Sequence, residues 1–525
     1  MSEPLIEAPA GAVRGVRDGN LRVFKGIPYA LPPVGERRWR PPAPMPPWDG
    51  VRDALAFGPA CIQPRSRPGS LYAPALPAVS EDCLTLNIWS PDNARGAPVL
   101  VWIHGGALNT GGSAEPMFDG ARMARRGLVV VSINYRLGVL GYLAHPALSA
   151  ESPSGVSGNY GLLDQIAALQ WVRDNIAAFG GDADNVTVAG ESAGGLSVMY
   201  LMASPGARGL FAKAIAQSAY MISTPALREP QHGETPAEEI GERLAHRLGG
   251  KALADLRAMD AAALSQAAAD AGFMPSGTID GQVLPRQLVD TFDRGEQAPV
   301  PLLAGLTSGE IRSLRFLAPE PPTDNAAYEA AIEHRYGDLT DRFLSLYPAD
   351  GGEESVLAAT RDALYGWTAE RLVIKQEARG VPAYLYLFDH GYPAASAFGL
   401  HAFHAAEVPY VFGTAGRTTK LWPTIPATDA EAEMSEAMGE YWASFARAGQ
   451  PCARRQPAWP RYSEHEGGAW MHFAEVPRVA YALLPAQYRL HEEVVSRRRR
   501  QGDTPWNWNT GIVAPILPAR ESETP

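Results

Sequence analysis

The chain predicts an α/β fold built on a large, mostly parallel sheet with helices on both faces, and three observations carry that expectation. First, APVLVWIHGG (Ala97 to Gly106) and GLVVVSINYR (Gly127 to Arg136) are short β-branched runs that read as buried strands. Second, YGLLDQIAALQWVRDNIAAFGG repeats apolar residues at helical spacing (Leu162, Ile166, Leu169, Val172, Ile176), stops at Gly180 and Gly181, and is followed at once by the β-branched NVTVAG. Strand, helix and strand in that order imply right-handed crossovers and a parallel sheet. Third, VPLLAGLTSGE and VPAYLYLFDH read as two further strands that end in polar residues, at the sheet edge where sites assemble in such folds.

The stretch from about Glu234 to Asp270 reads as surface helices, and Glu431 to Ala448 carries an apolar stripe that ends at Gly449. Pro41 to Pro47 and Ala318 to Asn325 are proline-rich loops. Because α/β chains of this length often spend it on one sheet with large insertions, all 525 residues are assigned to one domain with insertions, its core spanning about 11–495 and its tails 1–10 and 515–525. Nothing in the pattern speaks to oligomeric state.

Hydrophobic residues make up 46% and charged residues 20%, which suits a globular chain and excludes a disordered one. A net charge of −11 argues against nucleic-acid binding, and the basic run Arg497 to Arg500 is read as a solvated segment of a surface helix. No stretch approaches the ~20 apolar residues of a membrane span, and MSEPLIEAPAGAVRG lacks the parts of a secretion signal. The expectation is a soluble cytoplasmic protein. Cys61, Cys83 and Cys452 are too few for a disulfide scaffold and lack zinc spacing.

Within VTVAGESAGGLSV, Gly190-Glu191-Ser192-Ala193-Gly194 fits G-x-S-x-G, a pattern that holds a serine on a sharp turn with its hydroxyl exposed above the sheet. The pentapeptide alone is weak evidence, but its place between a strand and a helix is the context such a turn requires. A nucleophilic serine needs a base, a group that orients the base, and donors for the developing oxyanion. His104-Gly105-Gly106-Ala107 follows a strand, so the amides of Gly106 and Ala107, with that of Ala193, are the candidate oxyanion hole. In the chain order serine, acid, histidine, Glu310 is the candidate acid, and His390, His401 and His404 all remain candidates for the base.

These stretches together resemble the type-B carboxylesterase family, which includes cholinesterases and bacterial p-nitrobenzyl-type esterases. The resemblance runs through FKGIPYALPPVGERRWRPP, SEDCLTLNIW, SINYRLGVLGYL, the region Asn159 to Gly195, AFHAAEVPYVFG and YWASFARAGQP. It implies an α/β-hydrolase fold and a serine carboxylesterase acting on small-molecule esters through an acyl-enzyme, with no metal or cofactor. It implies the triad Ser192, Glu310 and His404, with Glu191 and Ser218 beside it. The loop LTSGEIRS departs from the family's usual Asn before and Gly after the acid.

Ala107 stands where many members have a third glycine, and Leu108 where an aromatic is usual, which by resemblance implies tolerance of bulky or tertiary alcohol esters. Pocket walls are expected around Leu108, Met221, Phe316 and Phe398. Cys61 and Cys83 match the family's N-terminal disulfide, worth about 3 kcal/mol if closed, although a reducing cytosol would leave it open. The same triad could serve amides, carbamates or thioesters, and a non-catalytic adhesion role is a further alternative that the retained triad disfavours.

Overall fold

The computed structural model describes residues 3–506 and 510–519. Eleven strands form the central sheet: β1 (Val16–Asp18), β2 (Leu21–Pro28), β3 (Thr85–Pro91), β4 (Ala97–Ile103), β5 (Val129–Ile133), β6 (Gly181–Glu191), β7 (Lys213–Gln217), β8 (Leu302–Thr307), β9 (Ala383–Phe388), β10 (Ala469–Phe473) and β11 (Pro477–Tyr481). Their order across the sheet is β11-β10-β9-β8-β7-β6-β4-β5-β3-β2-β1. The seven strands from β5 to β10 run parallel, and antiparallel strands close both edges.

The β-branched runs form these strands because both faces are buried. Val99, Val101 and Ile103 of β4 enter one apolar core, while Leu100 and Trp102 enter the other. Continuous apolar runs rather than alternation are what a doubly covered parallel sheet demands. From β4 the chain moves to β5 on one side and then to β6 on the other, so the strand order reverses at β4. Open α/β sheets bind ligands at such a switch, beyond the carboxyl ends of the strands.

Helix α1 (Tyr160–Asn175) continues as a 3₁₀ turn to Phe179 and ends at Gly180, whose φ of +87° needs a residue without a side chain. Helix α2 (Ala193–Ala203) starts directly after β6. Helix α3 (Asp429–Ala448) is capped by the Thr428 side chain, which accepts from the Glu431 amide, and ends at Gly449 with φ +71°. The expected surface helices appear as Ala237–Arg247, Leu253–Ala258 and Ala261–Asp270.

Three expectations are corrected. The N-terminal residues are no loose tail, since Leu5–Ala8 pairs with Gly11–Arg14 as a small antiparallel ribbon. At the other end the Leu517 amide donates to the Arg335 carbonyl at 2.7 Å, so the chain is packed as far as that residue; residues 520–525 lie outside those described. The basic run is only partly solvated: Arg497 and Arg498 are buried on the helix Pro485–Gln501, whereas Arg500 is exposed. Arg497 pairs with Asp338 at 2.6 Å and Glu493 at 2.8 Å, and Arg498 donates to the Pro515 carbonyl at 3.0 Å. Acceptors on neighbouring elements replace the water those guanidinium groups would otherwise require.

Candidate active site

Ser192 sits at the junction of β6 and α2 with φ +58° and ψ −122°, a strained backbone for a residue with a side chain. Its amide donates to the Gln217 carbonyl of β7 at 2.9 Å, and its carbonyl accepts from Leu196 at 2.8 Å, so the strain is held from both sides. The flanking glycines are required by contact. A Cβ on Gly194 would lie 2.1 Å from the Ile103 carbonyl oxygen, and one on Gly190 would lie 2.5 Å from the Gly194 backbone. Glu191 and Ala193 are buried while Ser192 remains partly open.

Beyond β4 the chain turns through Gly106, Ala107 and Leu108, all at positive φ (+105°, +55° and +57°). The turn uses the carbonyl of Gly106, which accepts from Asn109 and Thr110, rather than its amide. A Cβ on Gly105 would lie 3.2 Å from Ser192 Cβ, which brings this loop directly against the serine turn.

Glu310 follows β8 and is fully buried. One of its oxygens accepts from the Thr307 amide at 2.8 Å; the other accepts from His404 Nδ1 in a short hydrogen bond. The two loops are also joined through backbone, since the Gly309 amide donates to Ala402 at 2.8 Å and Gly309 bridges Phe403. A Cβ on Gly309 would come within 2.8 Å of the carbonyls of Leu400 and Ala402, so that contact requires glycine.

Of the three histidines left open by chain order, His404 alone meets Glu310. His390 is held by Glu431 at 2.8 Å on Nε2 and by the Ala474 carbonyl at 2.8 Å on Nδ1, which engages both ring nitrogens. His401 is exposed.

The surroundings of His404 are crowded with carboxylates. Glu191 Oε1 lies 3.1 Å from Nε2, within ion-pair reach but not aligned as a hydrogen bond. Burial would lower the imidazole pKa, but Glu191, Glu310 and Glu407 outweigh it and hold the value up at about 9. Burial, partly offset by His404, raises Glu191 to about 8. Burial also raises Glu407 to about 7, with its oxygen accepting from Gln217 at 2.9 Å. Trp442 in turn donates to Gln217 at 2.9 Å.

Comparison with known proteins adds a separate line of evidence. Residues 2–490 match the model of the carboxylesterase family. The chain belongs to that family. It is 39% identical over 466 residues to a fumonisin B1 esterase of Sphingopyxis macrogoltabida, covering 86% of this chain and 83% of the relative. It is 35% identical over 474 residues to the para-nitrobenzyl esterase of Bacillus subtilis, covering 88% and 94%. A solved PNB esterase structure superposes with a TM-score of 0.80 at 33% identity, covering 93% of this chain and 99% of that one. The protein is a carboxylic ester hydrolase with an α/β-hydrolase fold.

In this carboxylesterase the expected pocket walls need revision. Phe316 and Phe398 are 70% and 73% exposed, so they stand in water rather than lining a cleft, and Phe316 stacks under Arg67. Leu108 and Met221 are closed to water and pack in the core. Ser218 is buried after β7 with its hydroxyl unpartnered. Cys61 and Cys83 are unbridged; the hydrogen bond with Cys61, then burial, holds the Cys83 thiol well above its usual pKa.

Sequence reasoning missed two rings that flank His404. Tyr72 meets the imidazole edge-on with centroids 6.1 Å apart, and Tyr365 meets it tilted at 5.5 Å. Tyr365 lies in a π-helical turn, Asp362–Gly366, an irregularity often found at functional sites and without a reliable local signature in sequence.

A pH prediction follows from the carboxylate at Nε2. Were His404 the base, activity would fall as pH drops through its pKa, because a base acts only when neutral. Glu191 raises that pKa, and Glu191→Gln removes the charge. The acid limb of the kcat/KM profile should therefore move to lower pH; an unmoved limb, or one moved upward, would contradict the assignment.

Proposed function

We propose that this carboxylesterase works through Ser192 as nucleophile, His404 as base and Glu310 as the acid that orients the imidazole. The observation that carries the reading is the buried Glu310–His404 hydrogen bond, set at the same sheet edge as the strained Ser192 turn. Nδ1 of His404 faces Glu310, which leaves Nε2 to take the serine proton as Oγ attacks the ester carbonyl. The amides of Gly106, Ala107 and Ala193 donate to the tetrahedral oxyanion, and their fixed orientation means little reorganisation is needed as charge develops. His404 then protonates the leaving alcohol, and water releases the acyl group by the same steps in reverse roles.

On the alcohol side, the reading extends to esters of bulky or tertiary alcohols. Ala107 is exposed with only a methyl group, and the Leu108 side chain turns into the core, so the wall beside the proposed oxyanion donors carries little bulk. A cytoplasmic setting belongs to the same reading. It is supported by the two buried, unbridged thiols, which suit a reducing compartment. Among the described residues no helix is long and apolar enough to cross a membrane.

Ser192→Ala should lower kcat on p-nitrophenyl acetate by about 10⁶-fold, to the residual supplied by binding and oxyanion donors alone. Turnover at the unaltered rate would sink the nucleophile assignment. For the alcohol side, tert-butyl acetate should be hydrolysed at a measurable rate, and Ala107→Leu, which adds bulk at the exposed position and keeps the backbone amide, should depress that rate more than the rate on ethyl acetate. An equal effect on both esters would count against the open wall.

A further inference from the structure

The segment 62–78 connects two short paired strands, Ala60–Cys61 and Val79–Ser80, and crosses three loops of the site on its way. Gln63 bonds Gly111 twice, accepting from its amide at 2.9 Å and donating to its carbonyl at 2.9 Å. Leu76 packs on Gly112, where a Cβ would lie 2.8 Å from Leu76 Cδ2. Thr419 donates to the Leu71 carbonyl. Tyr72, at the middle, reaches furthest in. Its phenol oxygen lies 2.9 Å from the backbone carbonyl of His404 and 2.6 Å from Ser313 Oγ, on the short helix Glu310–Ser313 that begins with the proposed acid. Its ring stands edge-on to both His404 and Trp422.

The hydrogen bonds have a determined direction. A carbonyl can only accept, so the single phenolic proton goes to His404, and the Ser313 hydroxyl donates to the phenol. One side chain thus ties the base loop to the acid helix. The base loop needs such a tie, because His401 and Ala405 on either side of His404 sit at φ +55° and +65°. Backbone held in that region persists only where its surroundings over-determine it. Gly309 to Ala402 supplies one restraint, before the histidine. Tyr72 supplies the other, on the histidine itself.

We infer that Tyr72 is a positioning residue for His404, acting through the His404 carbonyl and Ser313 to keep the imidazole aimed between Glu310 and Ser192. The inference rests on His404 being the base. It predicts an effect on the chemical step rather than on substrate binding, since the contact is to backbone and not to the ester.

The test compares Tyr72→Phe, Ser313→Ala and the double variant on p-nitrophenyl acetate, each assayed well below its thermal midpoint. Tyr72→Phe keeps the ring contacts and removes only the hydroxyl. It should lower kcat about tenfold, the size expected for one lost tether of about 1.4 kcal/mol, with KM unchanged. Ser313→Ala should lower kcat by less, and the double variant should be no slower than Tyr72→Phe, because both act through one phenol. An unaltered kcat in Tyr72→Phe, a change confined to KM, or effects that multiply in the double variant would each overturn the inference. A His404→Ala variant as active as the unaltered chain would instead overturn the reading on which it rests.

Discussion

The hydrogen bond between Glu310 and His404 is the constraint on which the site depends. A carboxylate closed to water is costly unless both oxygens are satisfied, and here one is satisfied by the Thr307 amide and the other by the imidazole. That requirement fixes where the loop after β8 and the loop containing His404 meet. It also explains Gly309, whose missing side chain lets the carbonyls of Leu400 and Ala402 approach. The Ser192 turn answers a parallel demand on the other side, with Gly194 against the end of β4 and Gly190 against the turn itself. The parallel sheet brings both groups of loops to one edge.

Around that bond lies a concentration of buried carboxyl groups. Glu191, Glu310 and Glu407 surround a single imidazole, and Glu115, raised by burial to about 7, adds to the field at Glu191. Such a cluster stabilises an imidazolium, the species that forms when the proposed base takes a proton. The same field opposes the neutral base at rest. Gln217, which accepts from Trp442, donates to Glu407 and holds that member of the set in place.

Much of this architecture was legible because its signals are local. β-Branched runs mark strands buried on two faces, and the glycines of G-x-S-x-G mark a turn that no larger residue fits. The family resemblance then pointed to His404 among three histidines that chain order left equal. What was not legible depends on distance. Tyr72 and His404 are 332 residues apart, and neither neighbourhood announces the other. Arg497 and Arg498 look like a solvated run until Asp338 and the C-terminal backbone are brought beside them. Phe316 and Phe398 look like pocket walls by type and place, yet the loops that carry them turn those rings outward.

The most direct test of the central claim is the rate at which diethyl p-nitrophenyl phosphate phosphorylates the chain, with the adduct mapped by peptide mass spectrometry. The account predicts a single adduct on Ser192 and a rate that falls by about 10⁴-fold in Glu310→Gln, the loss expected when an imidazole loses the group that fixes its tautomer. An adduct on another residue, or labelling of Glu310→Gln as fast as the unaltered chain, would contradict it.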